Sequence, residues 1–337
     1  MATSDAFYSD KVILVTGGCG SIGSQLVRAL LKFNPRVVRI FDNNEAGLYE
    51  LENDLRSSKA RTFIGDIRNS KRLARALENV DLVFHAAALK QVPLCEYNPF
   101  EAVETNVIGT QNVIDAALDA QIEKMILIST DKAVNPRNVM GATKLLAERL
   151  MISANDYRGK RKTAFSCVRF GNVLNSRGSV VPLFAKQIRE NNCITITDDA
   201  MTRFVMSHQQ AVALILKAAF QAQGGEIFVL KMPSFSLVDL AKAVIQEIAP
   251  LCGTDPKDVM IKRIGKRAGE KMYEELMTED EAECATEMDG LYVIGSTSPK
   301  AGKSTGREYT SLYSERLSRE QITALLNECC LSSGNVR

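Results

Sequence analysis

Residues 11–23 read Lys-Val-Ile-Leu-Val-Thr-Gly-Gly-Cys-Gly-Ser-Ile-Gly. An apolar run, Val12 to Val15, predicts a buried strand. Thr16 leads into glycines at 17, 20 and 23, and an amphipathic helical pattern follows. A strand, a glycine-rich turn and a helix N-terminus together make a pyrophosphate site. Gly17 permits the tight turn, Gly20 lets the backbone approach phosphate, and Gly23 lets helix pack on strand. Backbone N–H groups of the turn, those of Ser21 and Ile22 included, then face negative charge at the positive end of the helix dipole. A second apolar run, Val37 to Phe41, ends in Asp42 and Asn43. A carboxylate there accepts hydrogen bonds from both ribose hydroxyls of an adenosine and repels a 2′-phosphate, and no arginine follows at 43–45. The cofactor expected is NAD.

Beyond this unit, short apolar strands alternate with helical patterns. Strands are expected near 12–15, 37–41, 61–64, 81–85, 124–129 and 164–170, with helices near 21–32, 44–57, 70–78, 99–119 and 138–157. That alternation predicts an α/β fold, a doubly wound parallel sheet of the Rossmann type. Gly65-Asp66-Ile67 closes the third strand, where Asp66 and Ile67 are placed to meet the adenine. Ala86, Ala87 and Ala88 follow the fourth strand, and their small side chains let the backbone pass close to the cofactor. The character changes after residue 171, so 1–171 is expected to bind the dinucleotide and 172–337 to form mainly a second, smaller domain. Helices near 179–190, 207–222 and 236–248 belong to that half. Segments such as 207–230 are candidates to return to the first domain, and 284–310 reads as loop-rich.

The totals limit the function classes. A chain of 337 residues holds about two domains. Hydrophobic content of 45%, charged content of 24% and net charge of +2 describe a globular protein with no electrostatic call for nucleic acid or an anionic membrane. No apolar run approaches the roughly 20 residues of a membrane span, and the N-terminus carries no signal pattern. The eight cysteines form no CxxC pair, which points to reduced thiols and a cytoplasmic location. The two histidines, His85 and His208, offer no metal-ligand cluster, and no metal is expected.

Residues 125–148 carry the chemistry. A buried strand delivers Ser129, Thr130, Asp131 and Lys132 at its carboxyl end, where open α/β sheets bind ligands. The helix that follows carries Met140 and Lys144 four residues apart, on one face.

On these residues the chain resembles the extended short-chain dehydrogenases/reductases, which share the glycine motif, a Ser/Thr after the fifth strand and a Tyr-x-x-x-Lys helix. Thr130 and Lys144 match. Met140 stands in the tyrosine position and can neither take nor give a proton. The phrases Ala-Ala-Leu-Lys-Gln-Val-Pro-Leu-Cys-Glu-Tyr-Asn-Pro (87–99), Thr-Asn-Val-x-Gly-Thr-Gln-Asn-Val (105–113), Ser-Thr-Asp-Lys-Ala-Val-Asn-Pro (129–136) and Arg-x-Gly-Glu-Lys-x-x-Glu-Glu-Leu (267–276) resemble UDP-N-acetylglucosamine 4,6-dehydratases over roughly residues 10–280. The Met-Gly-Ala-Thr-Lys form is similar to the catalytic part of the long, membrane-anchored, C-5-retaining members, so the chain reads as a soluble relative or as the catalytic part of a longer protein.

The resemblance implies a role for each candidate. Asp131 is the C-6 acid, Lys132 the C-5 base, Thr130 the partner of the C-4 oxygen, and Lys144 the holder of the nicotinamide ribose. Asn106 joins the cofactor set. Asn172, Arg203, Arg267 and Glu270 meet the uridine diphosphate, Gly178 and Ser179 open a helix toward it, and Lys90 approaches the sugar. The partner implied is a UDP-sugar, and a homo-oligomer is the assembly expected. Physically, burial lowers a lysine pKa and raises an aspartate pKa, which suits a base and an acid. With Met140 in place, the base for the C-4 hydroxyl is Asp131 serving twice or a water held by Thr130. Two other readings stand beside this one: a nucleotide-sugar 4-epimerase, and a non-catalytic dinucleotide sensor.

Overall fold

The computed structural model describes residues 4–267, 269–288, 290–295 and 307–331. Its strands, in chain order, are β1 Val12–Thr16, β2 Val37–Asp42, β3 Ala60–Ile64, β4 Leu82–His85, β5 Lys124–Ile128, β6 Ala164–Arg169, β7 Asn172–Val173, β8 Cys193–Ile196, β9 Thr202–Met206, β10 Ile227–Leu230, β11 Ser234–Ser236, β12 Met260–Arg263, β13 Glu275–Met277, β14 Ala285–Met288, β15 Leu291–Ile294 and β16 Tyr309–Thr310. Nine of them form one sheet in the order β14-β15-β10-β6-β5-β4-β1-β2-β3. The seven from β10 to β3 are parallel. An antiparallel hairpin, β15 with β14, extends the edge beside β10. The fold is a Rossmann-like doubly wound α/β sheet.

The sequence explains why the centre of this sheet is parallel. Every residue of β1, and every residue of β4 and β6, is buried. Strands covered on both faces read as unbroken apolar runs. The helix Ser21–Leu31 buries Gly23, Leu26, Val27 and Leu30, spaced by three and four so that one stripe meets the sheet. Side-chain caps mark the helix starts. Asn44 Oδ1 accepts from Gly47 N, and Asn138 Oδ1 accepts from Gly141 N, each satisfying a first-turn donor. Strand order reverses between β1 and β4, which opens a crevice at the carboxyl ends of the strands.

Segments after residue 172 serve two cores. The helix His208–Gln221 and strands β10 and β15 pack into the main one. A second apolar cluster forms among the helices Val180–Asn191, Leu237–Ile248 and Arg319–Leu326, around Phe184, Ile188, Leu240, Val244 and Ile322. Among the described residues no helix is long and apolar enough to cross a membrane.

Two expectations need correction. The helix expected over 99–119 is interrupted. Pro99–Val103 and Gly109–Asp119 are α-helical, and Glu104–Ile108 between them is a π turn. The wider turn carries Asn106 into the protein, and Gly109 leaves room for Ile67, whose Cδ1 would lie 2.6 Å from a Cβ at that position. The stretch read as loop-rich, 284–310, contains β14, β15 and β16 instead; residues 296–306 lie outside the described residues.

A buried ion network ties the halves of the sequence together. Arg169, at the end of β6, forms a fork with Glu148 (3.1 and 2.7 Å) and a second with Glu281 (2.8 and 3.0 Å), and donates to Leu276 O at 3.0 Å. Arg169 and Glu148 are each 1% exposed. Removing one member of a buried pair strands the other charge. Arg169→Met is therefore expected to destabilise the fold by about 3–5 kcal/mol, read as a fall in the urea midpoint. A change within 1 kcal/mol would contradict the assignment.

Candidate active site

The crevice holds two cavities that meet. The first, about 410 Å³, is floored by Gly17, Gly20, Ser21, Ile22 and Gly23 and walled by Ala86, Ala88, Lys90, Thr130, Met140 and Lys144. Its far side comes from the segment after β6, with Asn172, Gly178 and Ser179. The second, about 590 Å³, is lined by Arg137, Asn172, Arg203, Arg267, Glu270 and Glu274 with Val92, Pro93 and Tyr97. Lys132 and Asn172 line both.

Steric limits shape the floor. Gly17 has φ +65°, and a Cβ on it would stand 2.6 Å from Ala87 N. A Cβ on Gly23 would stand 2.1 Å from Gly17 O. No side chain fits at either position, so backbone forms the surface. Asp42 Oδ2 accepts from Cys19 N at 2.9 Å and Oδ1 from Asn44 N at 3.0 Å, which leaves further lone pairs for a ligand. Asn43 bonds to the Asp66 carboxylate, and the Arg68 fork lowers the pKa of that carboxyl. Ile67 is buried against Gly109, and its carbonyl accepts from Asn112. A glycine cradle, a helix N-terminus and a strand-end carboxylate fit a dinucleotide.

Asn106, expected on the cofactor, has another task here. Its Oδ1 accepts from Leu89 N at 2.8 Å, and its Nδ2 donates to Leu89 O and Thr143 Oγ1. The buried amide holds the loop after β4 from behind. His85 is likewise structural. Thr110 Oγ donates to Asn106 O, so it accepts from His85 Nε2, and His85 Nδ1 accepts from Thr16 Oγ at 2.6 Å. Burial, with the Lys144 charge adding, lowers the His85 pKa to about 3.

The reactive cluster stands at the end of β5. Thr130 Oγ donates to Asp131 Oδ1 at 2.7 Å, and Lys132 Nζ lies 3.0 Å from the same oxygen. Lys132 Nζ also donates to Asn172 Oδ1 at 3.2 Å and faces Glu274 Oε1 at 3.6 Å. Asp131 is 0% exposed and its Oδ2 has no partner. It reaches the cavities through Thr130 and Lys132, one layer behind the surface expected of it. Lys144 Nζ donates to Ile128 O at 2.6 Å, and burial lowers its pKa to about 8 against the pull of Glu148. Met140 packs with Cys95 and Ala102 while lining the first cavity; its thioether is both core and wall.

The charge state of Lys132 reverses the expectation of a lowered pKa. Burial disfavours the ammonium, but the Asp131 and Glu274 carboxylates outweigh it and hold the pKa above the ordinary lysine value. Arg203, expected on a diphosphate, is engaged by protein. Its Nε faces Glu274 at 3.5 Å, and its other nitrogens donate to Thr202 O, Met272 O, Lys271 O and Met201 Sδ. Arg267 and Glu270 line the second cavity, where Arg267 N donates to Glu270 Oε2.

Two residues of the site were not singled out from the sequence. Glu274 sits inside the phrase at 267–276, but nothing in its spacing distinguishes it from Glu275, whose carboxylate is held by Lys271 and Asn135. Arg177 lies in the polar run after β6. Its guanidinium donates to Cys19 O and its backbone N to Ser21 Oγ at 3.0 Å, so it straps the second half across the glycine turn.

A family model described as polysaccharide biosynthesis protein matches residues 13–296. A Methanocaldococcus jannaschii protein named an uncharacterized membrane protein is 59% identical over 322 residues, 96% of this chain and 97% of its own. A UDP-N-acetylglucosamine 4,6-dehydratase (inverting) of Campylobacter jejuni is 41% identical over 289 residues, 85% of this chain and 83% of its own. A UDP-glucose 4-epimerase of Rickettsia felis is 39% identical over 338 residues, 95% of this chain and 96% of its own. Among solved structures, Pen from Bacillus thuringiensis superposes with a TM-score of 0.91 at 46% identity, covering 96% of this chain and 98% of that one.

The neutral state of His85 has a measurable consequence. Its folded pKa of about 3 lies below the ordinary 6.5, so on acidification the unfolded chain binds the proton first. Stability from neutral His85 is complete above about pH 6.5 and is lost as pH falls toward 3, by up to about 1.4 kcal/mol per pH unit. Urea unfolding of wild type and His85→Gln at pH 7 and pH 5 is expected to show a smaller pH-dependent loss in the variant. Equal losses would remove His85 from the acid response.

Proposed function

The chain belongs to the family of polysaccharide biosynthesis proteins, and within it we propose that it is a UDP-N-acetylglucosamine 4,6-dehydratase using NAD. The observation that carries the reading is Lys132, which stands where the two cavities meet. A proton-handling group at that junction touches both a bound dinucleotide and the sugar of a nucleotide held in the second cavity. The Campylobacter relative's name supports the substrate class.

Gly17, Gly20 and Gly23 hold the pyrophosphate, Asp42 the adenosine ribose, and Lys144 the nicotinamide ribose. Bound NAD supplies a hydride acceptor for C-4 of the sugar and a hydride donor for C-6. The residues move the protons. The C-4 hydroxyl donates to Thr130 Oγ, whose own proton already points at Asp131 Oδ1. This relay gives the C-4 step a base without the family's phenol. A 4-ketone acidifies the C-5 proton, and Lys132 as free amine removes it. Asp131, now protonated, returns its proton through Thr130 to the C-6 oxygen, which leaves as water. O-4 and O-6 sit on carbons two bonds apart, so one hydroxyl side chain serves both.

Retention at C-5 is part of the proposal and rests on Met140 and on a single lysine that both removes and returns the proton. The Campylobacter relative is named for inversion, so the H-5 coupling constants of the product decide this point. The Rickettsia relative's name favours a second reading, 4-epimerisation. Incubation with UDP-N-acetylglucosamine and NAD separates the two. Loss of one water by mass spectrometry is expected, and an isomer of unchanged mass would overturn the dehydratase reading.

The relay makes a sharper demand. Thr130→Val removes the link between C-4 and Asp131 and is expected to lower kcat about 10²–10⁴-fold, with nucleotide binding retained by equilibrium dialysis. Met140→Tyr is expected to leave turnover equal or lower, because a phenol overfills a packed position at a cost of about 1–3 kcal/mol. A tenfold gain in turnover would instead mark a site that has lost its acid–base group.

A further inference from the structure

The dehydratase reading leaves one requirement unmet. Lys132 must be a free amine at C-5, yet the carboxyl groups of Asp131 at 3.0 Å and Glu274 at 3.6 Å favour its ammonium form. Glu274 is the second of them. It is 3% exposed, lies between Lys132 (3.6 Å) and Arg203 (3.5 Å), and its Oε2 is buried without a partner. Arg203 directs its remaining nitrogens to backbone carbonyls and a sulfur. Arg203 thus fixes the carboxyl in place while Oε2 stays open. Glu275, the adjacent acid, points elsewhere into Lys271 and Asn135.

We propose that Glu274 is a positioning residue that acts through Lys132, by taking the ammonium proton once C-4 has been oxidised. The inference rests on the dehydratase reading. The groups facing the lysine are Asp131, Glu274, Arg203 and Asn172, and those facing Glu274 are Lys132, Asp131, Arg203 and Lys271. While Asp131 is ionised, two anions hold Lys132 charged. The C-4 proton, arriving on Asp131 through Thr130, neutralises one of them. Substrate and cofactor together remove the water that reaches the lysine, whose side chain is 25% exposed in this structure. A dry pair favours its neutral form. Burial, with the Asp131 charge adding, already raises the Glu274 pKa against the pull of Lys132 and Arg203.

The protons balance. Lys132 ammonium and Glu274 carboxylate become amine and carboxylic acid. The amine takes the C-5 proton, Asp131 gives its proton to the departing C-6 oxygen, and the ammonium returns a proton to C-5. Glu274 then hands its proton back to the amine. The base is therefore armed only after the ketone exists, which keeps proton removal from preceding oxidation.

Comparison of wild type with Glu274→Gln and Glu274→Asp tests this, using UDP-N-acetylglucosamine, NAD and deuterated solvent. Wild-type kcat and C-5 deuterium incorporation are expected to be nearly flat from about pH 6 to about pH 7.5, below the Lys144 pKa of about 8. Glu274→Gln has no acceptor, so its lysine must ionise into solvent. Its kcat is expected about 10²-fold lower at neutral pH, rising about tenfold per pH unit with KM within a few-fold. Glu274→Asp keeps an acceptor and the flat profile. A flat Glu274→Gln profile, whether at full rate or uniformly reduced, overturns the proposal, as does a steep one for Glu274→Asp. Infrared difference spectra of the wild type give a readout independent of variant folding. Because Asp131 is also protonated in the cycle, adding NAD with UDP-N-acetylglucosamine is expected to produce two protonated-carboxyl bands during turnover, and a single band counts against Glu274 as acceptor. A wild type that releases no water overturns the underlying reading instead.

Discussion

A guanidinium that solvent does not reach organises this molecule. Arg169 ends the sixth strand and is fully satisfied by Glu148, Glu281 and the carbonyl of Leu276. Glu148 lies one helical turn beyond Lys144, on the helix that presents Lys144 and Met140 to the cofactor cavity. Glu281 opens the helix Glu279–Cys284, just past the strand that follows Glu274. One buried charge thus sets the distance between the helix that carries Met140 and Lys144 and the segment that carries Glu274. Such clusters contribute little net stability compared with an apolar packing of the same volume, but leaving one unmatched is costly. The arrangement therefore favours one register of the two segments over neighbouring ones.

The replacement of a phenol by a thioether becomes intelligible in that frame. Met140 is packed against Cys95 and Ala102. The hydroxyl of Thr130, already hydrogen-bonded to a buried carboxylate, offers a proton path that does not cross the methionine. In the proposed mechanism the acid–base groups stand at the end of the fifth strand, where Thr130, Asp131 and Lys132 are consecutive. Neighbours in sequence share one backbone turn and hold their mutual distances with little freedom.

Much of the fold was legible from local pattern. The glycine turn, the six alternating strands and Asp42 at the second strand's end follow from periodicity and from steric rules that act within a few residues. The interruption at Glu104–Ile108 was not legible, because a π turn reads as helix, and Ile67, which packs against Gly109 at its end, lies far away in sequence. The hairpin β14–β15 was hidden because each strand is only four residues long and polar chain surrounds them. Site residues divided in the same way. Thr130, Lys132 and Lys144 were legible from the strand and helix that carry them. Asn106 and Arg203 were given direct ligand roles by the family resemblance, whereas in the structure Asn106 holds Leu89 and Thr143 and Arg203 engages Glu274 and backbone carbonyls at the wall of the second cavity. Glu274 and Glu275 are indistinguishable in sequence, and only three-dimensional packing sends one toward Lys132 and the other toward Lys271.

The π turn carries a consequence for how this chain tolerates change in length. Each residue in an α-helix advances the direction of its side chain by about 100°, so the extra residue accommodated at 104–108 sets which way Asn106 faces. Deleting one residue there would let the segment relax into a regular helix and swing the amide away from Leu89, whose backbone it holds at both N–H and C=O. The loop that lines the cofactor cavity would lose its backing, although every apolar contact on the neighbouring helix face were kept. The geometry thus constrains chain length in this segment separately from its composition. Related sequences should accept substitutions along 99–119 more readily than insertions or gaps.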